Sequence, residues 1–335
     1  MPSRHPWLRD VEKSAWLLAV MVVLLCGLYP AALWVVGQTF FPFQANGSLL
    51  LGPDGTALGS LLIAQPFSAD EYFQPRPSAA AYDAAASASS TLAPSNYLLR
   101  DRVARALGPI VKYGGGPGRG QRVGPDVERW FHADRYRGAP HIVAQWATTH
   151  PGLARAWVVA DPLHEQFVND WAKRHPETVT LRSAADLAVV FLVTFSKENP
   201  GRFLSLVTRQ TPDGRPLTRL EPVQTGVDIQ STFFDMWRDE HPDADLEPVP
   251  ADMVMASGSG LDPHITVQTA GYQLDRVAAT WAQRTRRDPA QVREEVQALV
   301  RSKAWAPLDG LVGEPLVNVL EVNLALRARY GPPAR

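Results

Sequence analysis

The sequence predicts an α/β protein that is anchored in a membrane by a single N-terminal transmembrane helix. Residues 15–36 form an uncharged, largely apolar run, and basic residues precede it. After this run, helix-like and strand-like patterns share the first and last thirds of the chain, and a block of different composition separates them. We therefore expect an extracytoplasmic α/β domain that carries a mostly helical insertion.

The apolar run is long enough to cross a bilayer. A helix of this length rises about 33 Å, and the hydrocarbon core of a bilayer is roughly 30 Å thick. A cleaved secretory signal has a shorter apolar core and a small-residue cleavage site, and no clean cleavage pattern follows Ala31 and Ala32. A buried helix of a soluble protein is disfavoured because no face of the run is polar. We expect a retained transmembrane helix over residues 15–37.

The charges beside this helix predict its orientation. Arg4, Arg9 and Lys13 precede it, whereas the next basic residue is Arg76. Basic residues near a membrane span stay on the cytoplasmic side. Residues 1–14 should therefore be cytoplasmic, and almost all of the chain after the helix should lie outside.

Four residues of the predicted helix have a recognisable role in membranes. Trp16 and Trp34 lie near its two ends, where aromatic side chains meet the bilayer interface. Gly27 and Pro30 would bend the helix or let another helix come close. A helix that only anchors a domain needs neither residue, so Gly27 and Pro30 are candidate contacts with partner helices.

Composition limits the classes of function. The chain has 335 residues, a formal net charge of -1 and 45% hydrophobic residues, which is enough for one or two packed domains beside the anchor. No basic patch stands out, so nucleic acid is not expected as a partner. The single cysteine, Cys26, excludes a disulfide within the chain and a cysteine-based metal site.

The residues that follow the anchor contain weak local signals. Residues 59–65 are typical of a short buried strand, and residues 78–95 are so rich in Ala and Ser that composition alone predicts a linker. Ser95 or Asn96 should cap a helix over residues 97–107. The Gly-rich residues 113–118 break regular structure and indicate a domain boundary.

Residues 108–248 differ in composition from the rest of the chain. Half of the ten Trp residues and most of the His residues lie here. Short amphipathic helices are expected at residues 142–146 and 167–171. Residues 187–195 are apolar but too short to span a bilayer, so they should be core. The block is predicted to be a mostly helical inserted subdomain.

The last third of the chain has the strongest patterns. Residues 266–281 place apolar side chains on one helical face. Asp288, Pro289 and Gln291 together are typical of a helix start, with an N-cap acid, proline at the first helical position and Gln three residues after the cap. Residues 317–324 alternate well enough to predict a strand that contains Asn318 and Asn323.

Motifs of catalysis are missing from the sequence. It contains no P-loop, no G-x-G-x-x-G before a helix, no Asp-Lys-Thr-Gly phosphorylation signature and no G-x-S-x-G elbow. The histidines lack the spacing with acids that would indicate zinc. We therefore predict no catalytic residues and no metal site.

Residues 256–265, with the sequence Ala-Ser-Gly-Ser-Gly-Leu-Asp-Pro-His-Ile, are the most unusual stretch. Two interpretations stay open at this point. The stretch is a structural turn, or it is an anion-binding nest at the N-terminus of the following helix. Gln273 and Arg276 lie on the polar face of that helix, which is either solvated or a contact surface for a partner or ligand.

Separated blocks of the chain follow one another in the order of a known family. The blocks are Gly59-Ser60 with Ile63, Gln65 and Phe67; Tyr72-Phe73 with Arg76-Pro77-Ser78-Ala79; Tyr82-Asp83; Pro94-Ser95-Asn96; residues 256–265 with Gln273 and Arg276-Val277-Ala278; and Gly313-Glu314-Pro315 with Val317-Asn318-Val319-Leu320 and Asn323-Leu324-Ala325-Leu326. In these blocks the chain resembles the C subunit of the bacterial Kdp potassium-transporting P-type ATPase. The resemblance covers roughly residues 10–107 and 249–330. It implies a core domain made of residues 44–107 and 249–330, in which residues 78–95 are folded, and it leaves residues 108–248 as an insertion.

The resemblance implies a non-catalytic subunit of an ATP-driven, high-affinity potassium importer in the bacterial inner membrane. Such a subunit has no enzymatic activity of its own, binds no cofactor tightly and is needed for the complex to assemble and work. Its partners would be the ATP-hydrolysing subunit, the channel-like potassium-binding subunit, a small single-helix subunit and the lipid bilayer. The candidate partner contacts are Gly27, Pro30, Arg76, Asp262, His264, Asn318 and Asn323.

The family is also described as a catalytic chaperone that raises the affinity of the hydrolysing subunit for ATP. Carried over to this chain, that role makes Gln273 a candidate nucleotide contact, together with the loop residues Ser257, Gly258, Ser259 and Gly260. The predicted orientation opposes it, because ATP is cytoplasmic and this loop should lie outside. An alternative of another class is a membrane-anchored extracytoplasmic enzyme or solute-binding protein that uses the insertion as its active domain.

Overall fold

The computed structural model describes residues 6–136, 138–176, 183–211, 213 and 215–331. Arg4, one of the three basic residues used to predict orientation, lies outside this part of the chain. Contacts divide the protein into two compact units. The first unit is Met1–Ser90 with Ala256–Arg335, and the second is Thr91–Met255.

The N-terminal helix of the first unit is long and apolar, and residues 9–36 are exposed. It begins as α1 (Pro6–Val22), continues through a π-helical turn (Val23–Leu28) and ends as α2 (Tyr29–Phe40). The stretch Arg9–Phe40 is long and apolar enough to cross a membrane, and none of its most apolar window is buried. The structure thus confirms a helix over residues 15–37 and extends it at both ends.

Pro30 explains the π-helical turn. Proline has no backbone N–H and cannot donate to the carbonyl four residues earlier. The turn is widened just before this position, where the Tyr29 N–H donates to the Leu24 carbonyl, five residues back. Gly27 lies inside the widened turn.

A small hairpin follows the helix in the first unit. A single helical turn, α3 (Pro42–Ala45), leads into β1 (Leu49–Leu51), which pairs antiparallel with β2 (Ala57–Ser60). The strand predicted over residues 59–65 is therefore wrong beyond Ser60. The Ser60 hydroxyl donates to the Gly47 carbonyl (2.7 Å) and accepts from the Leu62 N–H (3.0 Å), which turns the chain out of the strand.

The second unit is mainly helical, and its described residues include one antiparallel hairpin, whose buried end begins at Phe203. It begins with α4 (Tyr97–Leu107), whose N-terminus is capped by Asn96 as expected. Its other elements are α5 (Gly124–Ala133), α6 (Ile142–Thr149), α7 (Pro151–Val159), α8 (Pro162–Arg174), α9 (Ala184–Glu198), β3 (Phe203–Gln210), β4 (Pro216–Val223) and α10 (Val227–Glu240). Helices α6, α8 and α9 contain the three helical or core segments that the sequence predicts.

Aromatic packing fills the centre of the second unit. The rings of Phe131 and Phe233 stack at 4.5 Å between centroids, and Phe203 meets Phe233 edge-on at 5.0 Å. Phe191, on α9, packs at 5.3 Å against Trp171. These large buried rings explain the tryptophan content of residues 108–248 as core packing.

The border of the second unit differs from the predicted one. The sequence assigns α4 to a core of residues 44–107, whereas α4 packs within the second unit, and its Arg105 Nη1 donates to Thr232 on α10 (3.0 Å). The Gly-rich residues 113–118 are not a boundary either. The Gly114 N–H donates to the Asp245 carbonyl (2.9 Å), so this loop is built into the second unit.

The C-terminal part of the chain completes the first unit. Strand β5 (His264–Thr266) pairs antiparallel with β6 (Leu316–Asn318), and three helices pack beside them. These helices are α11 (Val267–Thr285), α12 (Pro289–Lys303) and α13 (Val319–Tyr330). The start of α12 is as predicted, because Asp288 Oδ2 accepts from the Gln291 N–H at 2.8 Å.

The strand predicted over residues 317–324 is wrong after Asn318. The Asn318 side chain accepts from the Glu321 N–H (3.2 Å) and so caps α13. The residues that follow bury Val319, Val322 and Leu326, which recur at the three- and four-residue spacing of a helix. The described strands therefore form three separate two-stranded antiparallel sheets beside the helices.

Glu295 on α12 generates a prediction about acid stability. It accepts from Arg287 (2.6 Å), Tyr330 (2.8 Å) and Arg329 (3.1 Å), and these bonds lower its pKa from 4.5 to about 2. A depressed folded-state pKa stabilises the fold above the unfolded pKa, and this stabilisation is lost as the pH falls towards 2. Glu295→Gln should therefore lower the melting temperature near neutral pH and have little effect near pH 2.

Circular dichroism of the detergent-solubilised chain across this pH range measures the effect. Glu294→Gln, at the exposed neighbouring carboxylate, is the matched control. An equal loss of melting temperature at both ends of the range would contradict the assigned role of Glu295.

Candidate functional site

The Ser/Gly-rich loop of the first unit packs against residues 78–88. The Ser78 hydroxyl donates to the Gly260 carbonyl (2.5 Å), and the Ala88 N–H donates to the Ser259 carbonyl (3.0 Å). Gly260 has φ +71°, and a Cβ there would lie 2.8 Å from the Ala88 carbonyl oxygen, so only glycine fits. The stretch that composition alone predicts to be a linker is thus bonded to this loop.

The candidate nucleotide contacts in the loop differ in accessibility. Ser257 and Gly260 are buried, whereas Gly258 and Ser259 are exposed. The Ser259 hydroxyl accepts from the Leu261 N–H (3.1 Å), and the following helix α11 is capped by its own Thr266. These contacts favour a structural turn over an anion-binding nest.

Arg76, Asp262 and His264 form a charged cluster beside this loop. Arg76 Nη1 lies 3.7 Å from Asp262 Oδ2, and Asp262 Oδ1 accepts from the His264 backbone N–H at 3.0 Å. The bond with the His264 side chain, the backbone bond and the Arg76 charge lower the pKa of Asp262 against the opposing effect of burial. The three side chains are partly exposed, so the cluster presents both signs of charge at the surface.

Trp305 extends this cluster. Its ring meets the His264 ring edge-on, with 5.7 Å between centroids, and it is half-exposed. Tryptophan and arginine are both enriched at protein–protein contacts. The cluster can therefore hold a partner through polar bonds and an aromatic anchor.

Gln273 lies beneath the surface and binds backbone. Its side chain is 3% exposed. Its Oε1 accepts from the Gln74 N–H (2.8 Å), and its Nε2 donates to the Gln74 carbonyl (3.0 Å). Arg276 Nη2 also donates to Oε1 (2.8 Å). A nucleotide contact at Gln273 stays a prediction, and this arrangement does not favour it, because its amide is already bonded.

Asn323 makes the same pair of bonds to the backbone of Phe73, the residue before Gln74. Its Oδ1 accepts from the Phe73 N–H (2.9 Å), and its Nδ2 donates to the Phe73 carbonyl (2.8 Å). We call these bonds of Gln273 and Asn323 to Gln74 and Phe73 the carboxamide clamp. Two side chains on different helices thereby take the place of a neighbouring strand.

Other side chains bind the same backbone just before the clamp. Arg276 donates to the carbonyls of Asp70 (2.7 Å) and Tyr72 (3.0 Å), and Trp281 Nε1 donates to that of Glu71 (2.8 Å). Each carbonyl from residue 70 to residue 74 is thus bonded by a side chain of α11 or α13. This role of Trp281 could not be predicted from the sequence, because an indole on an apolar helix face predicts only packing.

The remaining candidate partner contacts divide between interior and surface. Asn318 is buried, and its Nδ2 donates to the Leu61 carbonyl (2.8 Å). Asn318 and Asn323 therefore act within the unit, and their contact with another chain stays a prediction that this geometry does not favour. Gly27 and Pro30 lie on the exposed helix, and a Cβ at Gly27 would meet no atom within 4 Å.

The carboxamide clamp predicts unequal effects of two isosteric substitutions. Asn323→Asp keeps the acceptor for the Phe73 N–H but places an oxygen against the Phe73 carbonyl, which should cost about 1–3 kcal/mol of unfolding free energy. Gln273→Glu should cost less, because Arg276 lies 2.8 Å from Gln273 Oε1 and stabilises a carboxylate there. Denaturant unfolding of the full chain in detergent compares them.

Gln268→Glu is the control for this comparison, since Gln268 is an exposed residue on the same helix as Gln273. If Asn323→Asp is no less stable than Gln268→Glu, the carboxamide clamp does not stabilise the first unit.

Comparison with known proteins matches both ends of the chain. The family model described as "KdpC: K+-transporting ATPase, c chain" matches residues 11–116 and 227–328. A potassium-transporting ATPase KdpC subunit of Pseudomonas putida (strain W619) is 46% identical over 107 residues, 32% of this chain and 58% of that protein. The aligned part thus spans just over half the length of this relative.

Other relatives align over most of the chain. A potassium-transporting ATPase KdpC subunit of Caulobacter vibrioides (strain NA1000 / CB15N) is 28% identical over 319 residues, 95% of this chain and 92% of that protein. That of Caulobacter sp. (strain K31) is 28% identical over 325 residues, 96% of this chain and 94% of its own length. These alignments must include most of the insertion, so some relatives contain a corresponding block of residues.

The family match also indicates which helices belong to the insertion. Helices α4 and α10 pack on each other, and both lie in matched residues, whereas α5 to α9 and the hairpin of β3 and β4 lie in the unmatched residues 117–226. The unmatched residues are thus fewer than those of the predicted insertion, 108–248, whose bounds stay a prediction. The chain belongs to the KdpC family, the c chain of K+-transporting ATPases.

Proposed function

We propose that this protein is a non-catalytic subunit of an ATP-driven potassium importer in the bacterial inner membrane. Three observations support the proposal: the family match at both ends of the chain, the exposed apolar helix over Arg9–Phe40, and the basic residues on its N-terminal side. Residues 1–14 are then cytoplasmic, and the chain that follows the membrane helix lies outside. The helix carries the proposal furthest, because a soluble protein would not leave it uncovered.

The subunit acts by binding its partners and not by chemistry of its own. In the membrane, the surface at Gly27 lets a helix of the channel-like subunit approach closely. Outside, the cluster of Arg76, Asp262 and His264 with Trp305 offers a polar and aromatic contact for the same subunit. The ATP-hydrolysing subunit and the small single-helix subunit complete the pump. Binding of this kind stabilises the assembled complex.

A role as a catalytic chaperone for ATP is the finer part of the proposal. Of the candidate contacts, Gly258 and Ser259 remain exposed to meet a nucleotide, whereas Gln273 is buried in the carboxamide clamp. The proposed orientation separates this loop from cytoplasmic ATP. The orientation of the chain therefore decides whether Gly258 and Ser259 can reach ATP.

Fusion reporters determine the orientation. Alkaline phosphatase fused after Tyr330 should be active, and a green fluorescent protein at the same place should stay dark, because the first folds outside the cytoplasm and the second inside. The same reporters fused at the N-terminus are the control and should give the opposite pattern. Fluorescence at the C-terminal end would overturn the orientation and restore access of Gly258 and Ser259 to ATP.

Substitution at Gly27 tests the helix contact. Gly27→Leu fills the open surface of the π-helical turn and should reduce recovery of the channel-like subunit with the tagged chain in mild detergent. Ala32→Leu places the same side chain roughly 140° around the helix, at about 100° per residue, and should leave recovery unchanged. Equal recovery with both variants would remove Gly27 from the contact.

The same purification discriminates the alternative class. An anchored extracytoplasmic enzyme or solute-binding protein would be recovered from its native membrane without pump subunits. Recovery of the unsubstituted chain without them would favour that alternative over a pump subunit.

A further inference from the structure

An uncovered apolar surface continues beyond the end of the membrane helix. Phe40 is 70% exposed and Leu51 is 62% exposed, and other large apolar residues between them are exposed as well. We call the set the apolar collar: Phe40, Phe41, Phe43, Leu49 and Leu51. No Asp, Glu, Lys or Arg occurs from Ser14 to Pro53, so the uncharged part of the chain includes the whole collar.

The exposed leucines lie on one face of strand β1. Leu49 and Leu51 are exposed on one face of the strand, whereas Leu50, which points to the other face, is partly covered. A hairpin in water places polar residues on its open face. Here that face carries leucines, so its surroundings are not water alone.

Hydrogen bonds hold the collar at the end of the helix. The Phe41 N–H donates to the Gly37 carbonyl (2.9 Å), and the Ser48 N–H donates to the Phe43 carbonyl (2.9 Å). The side-chain amides of Gln38 and Asn46 bond each other twice at 3.3 Å. The chain therefore folds back at the helix end and does not leave it as a free tether.

The attachment of the apolar collar to the membrane helix indicates which molecules cover it. If residues 15–36 fill the hydrocarbon core, Phe40 lies about 6 Å beyond it, within the headgroup layer of roughly 5–7 Å on that side. Aromatic side chains concentrate in that layer. We propose that the apolar collar is embedded in the outer headgroup layer of the bilayer, with phospholipid as its occupant. The inference rests on the proposed function in one respect, namely that the helix spans the membrane.

The collar also joins the bilayer surface to the core of the first unit. The Ser60 hydroxyl and the Gly47 carbonyl link β2 to the helix end at 2.7 Å. The Asn318 side chain then donates to the Leu61 carbonyl at 2.8 Å, which connects the hairpin to β6 and α13. The first unit is thereby fixed at the lipid surface.

Single-cysteine labelling tests the position of the collar. In a Cys26→Ser background, which leaves no other thiol, Leu51→Cys is labelled with an environment-sensitive fluorophore and reconstituted into phosphatidylethanolamine/phosphatidylglycerol vesicles. Its emission should shift to the blue and be largely lost to nitroxide lipids, with little loss to an aqueous nickel chelate. Leu311→Cys is the matched control, since Leu311 is 85% exposed elsewhere in the first unit, and it should show the reverse.

A third label, at Cys26, shows whether the helix spans the bilayer and so distinguishes failure of the inference from failure of the proposed function. The unsubstituted chain is labelled at Cys26 in detergent before reconstitution, and nitroxide lipids should quench it. If Cys26 is not quenched, the spanning helix and the proposed function fail. If Cys26 is quenched but residue 51 behaves as residue 311 does, the collar is in water and the inference is overturned. Protection of residue 51 that needs the other pump subunits would make the occupant a protein and also overturn it.

Discussion

The first unit depends on the side chains that satisfy the backbone of residues 70–74. This segment runs without a neighbouring strand, and buried backbone groups without partners are costly. The carboxamide clamp meets that need at Phe73 and Gln74, and Arg276 and Trp281 meet it just before. Since the bonding groups come from α11 and α13, the N-terminal and C-terminal parts of the unit are held together by polar bonds as well as by apolar packing.

This constraint separates residues that build the unit from residues that are available to partners. Gln273, Asn318 and Asn323 are turned inward by their bonds to backbone, whereas the cluster of Arg76, Asp262 and His264 stays at the surface. The insertion forms its own aromatic core within the second unit.

Sequence reasoning succeeded where short-range physics decides structure. The N-caps of α4 and α12, at Asn96 and Asp288, require only a polar side chain at the right spacing, and both were predicted. The strand over 317–324 was mispredicted because Asn318 ends a strand and caps a helix at once. Gln273 and Asn323 could be recognised as polar residues in the right family blocks, but not as inward-facing ones. Their partners lie 199 and 250 positions away, a separation that no local pattern encodes.

The division of the first unit into two stretches of chain has a consequence for biosynthesis. Its N-terminal stretch leaves the ribosome and reaches the membrane first, but the helices that bond residues 70–74 are made only after the whole of Thr91–Met255. The second unit is continuous in sequence and is free to fold as soon as it has been synthesised. Until α11 and α13 follow, the backbone at residues 70–74 is held by water alone. The second unit can therefore be complete while the first is still unfinished, and synthesis of Ala256–Arg335 closes the fold.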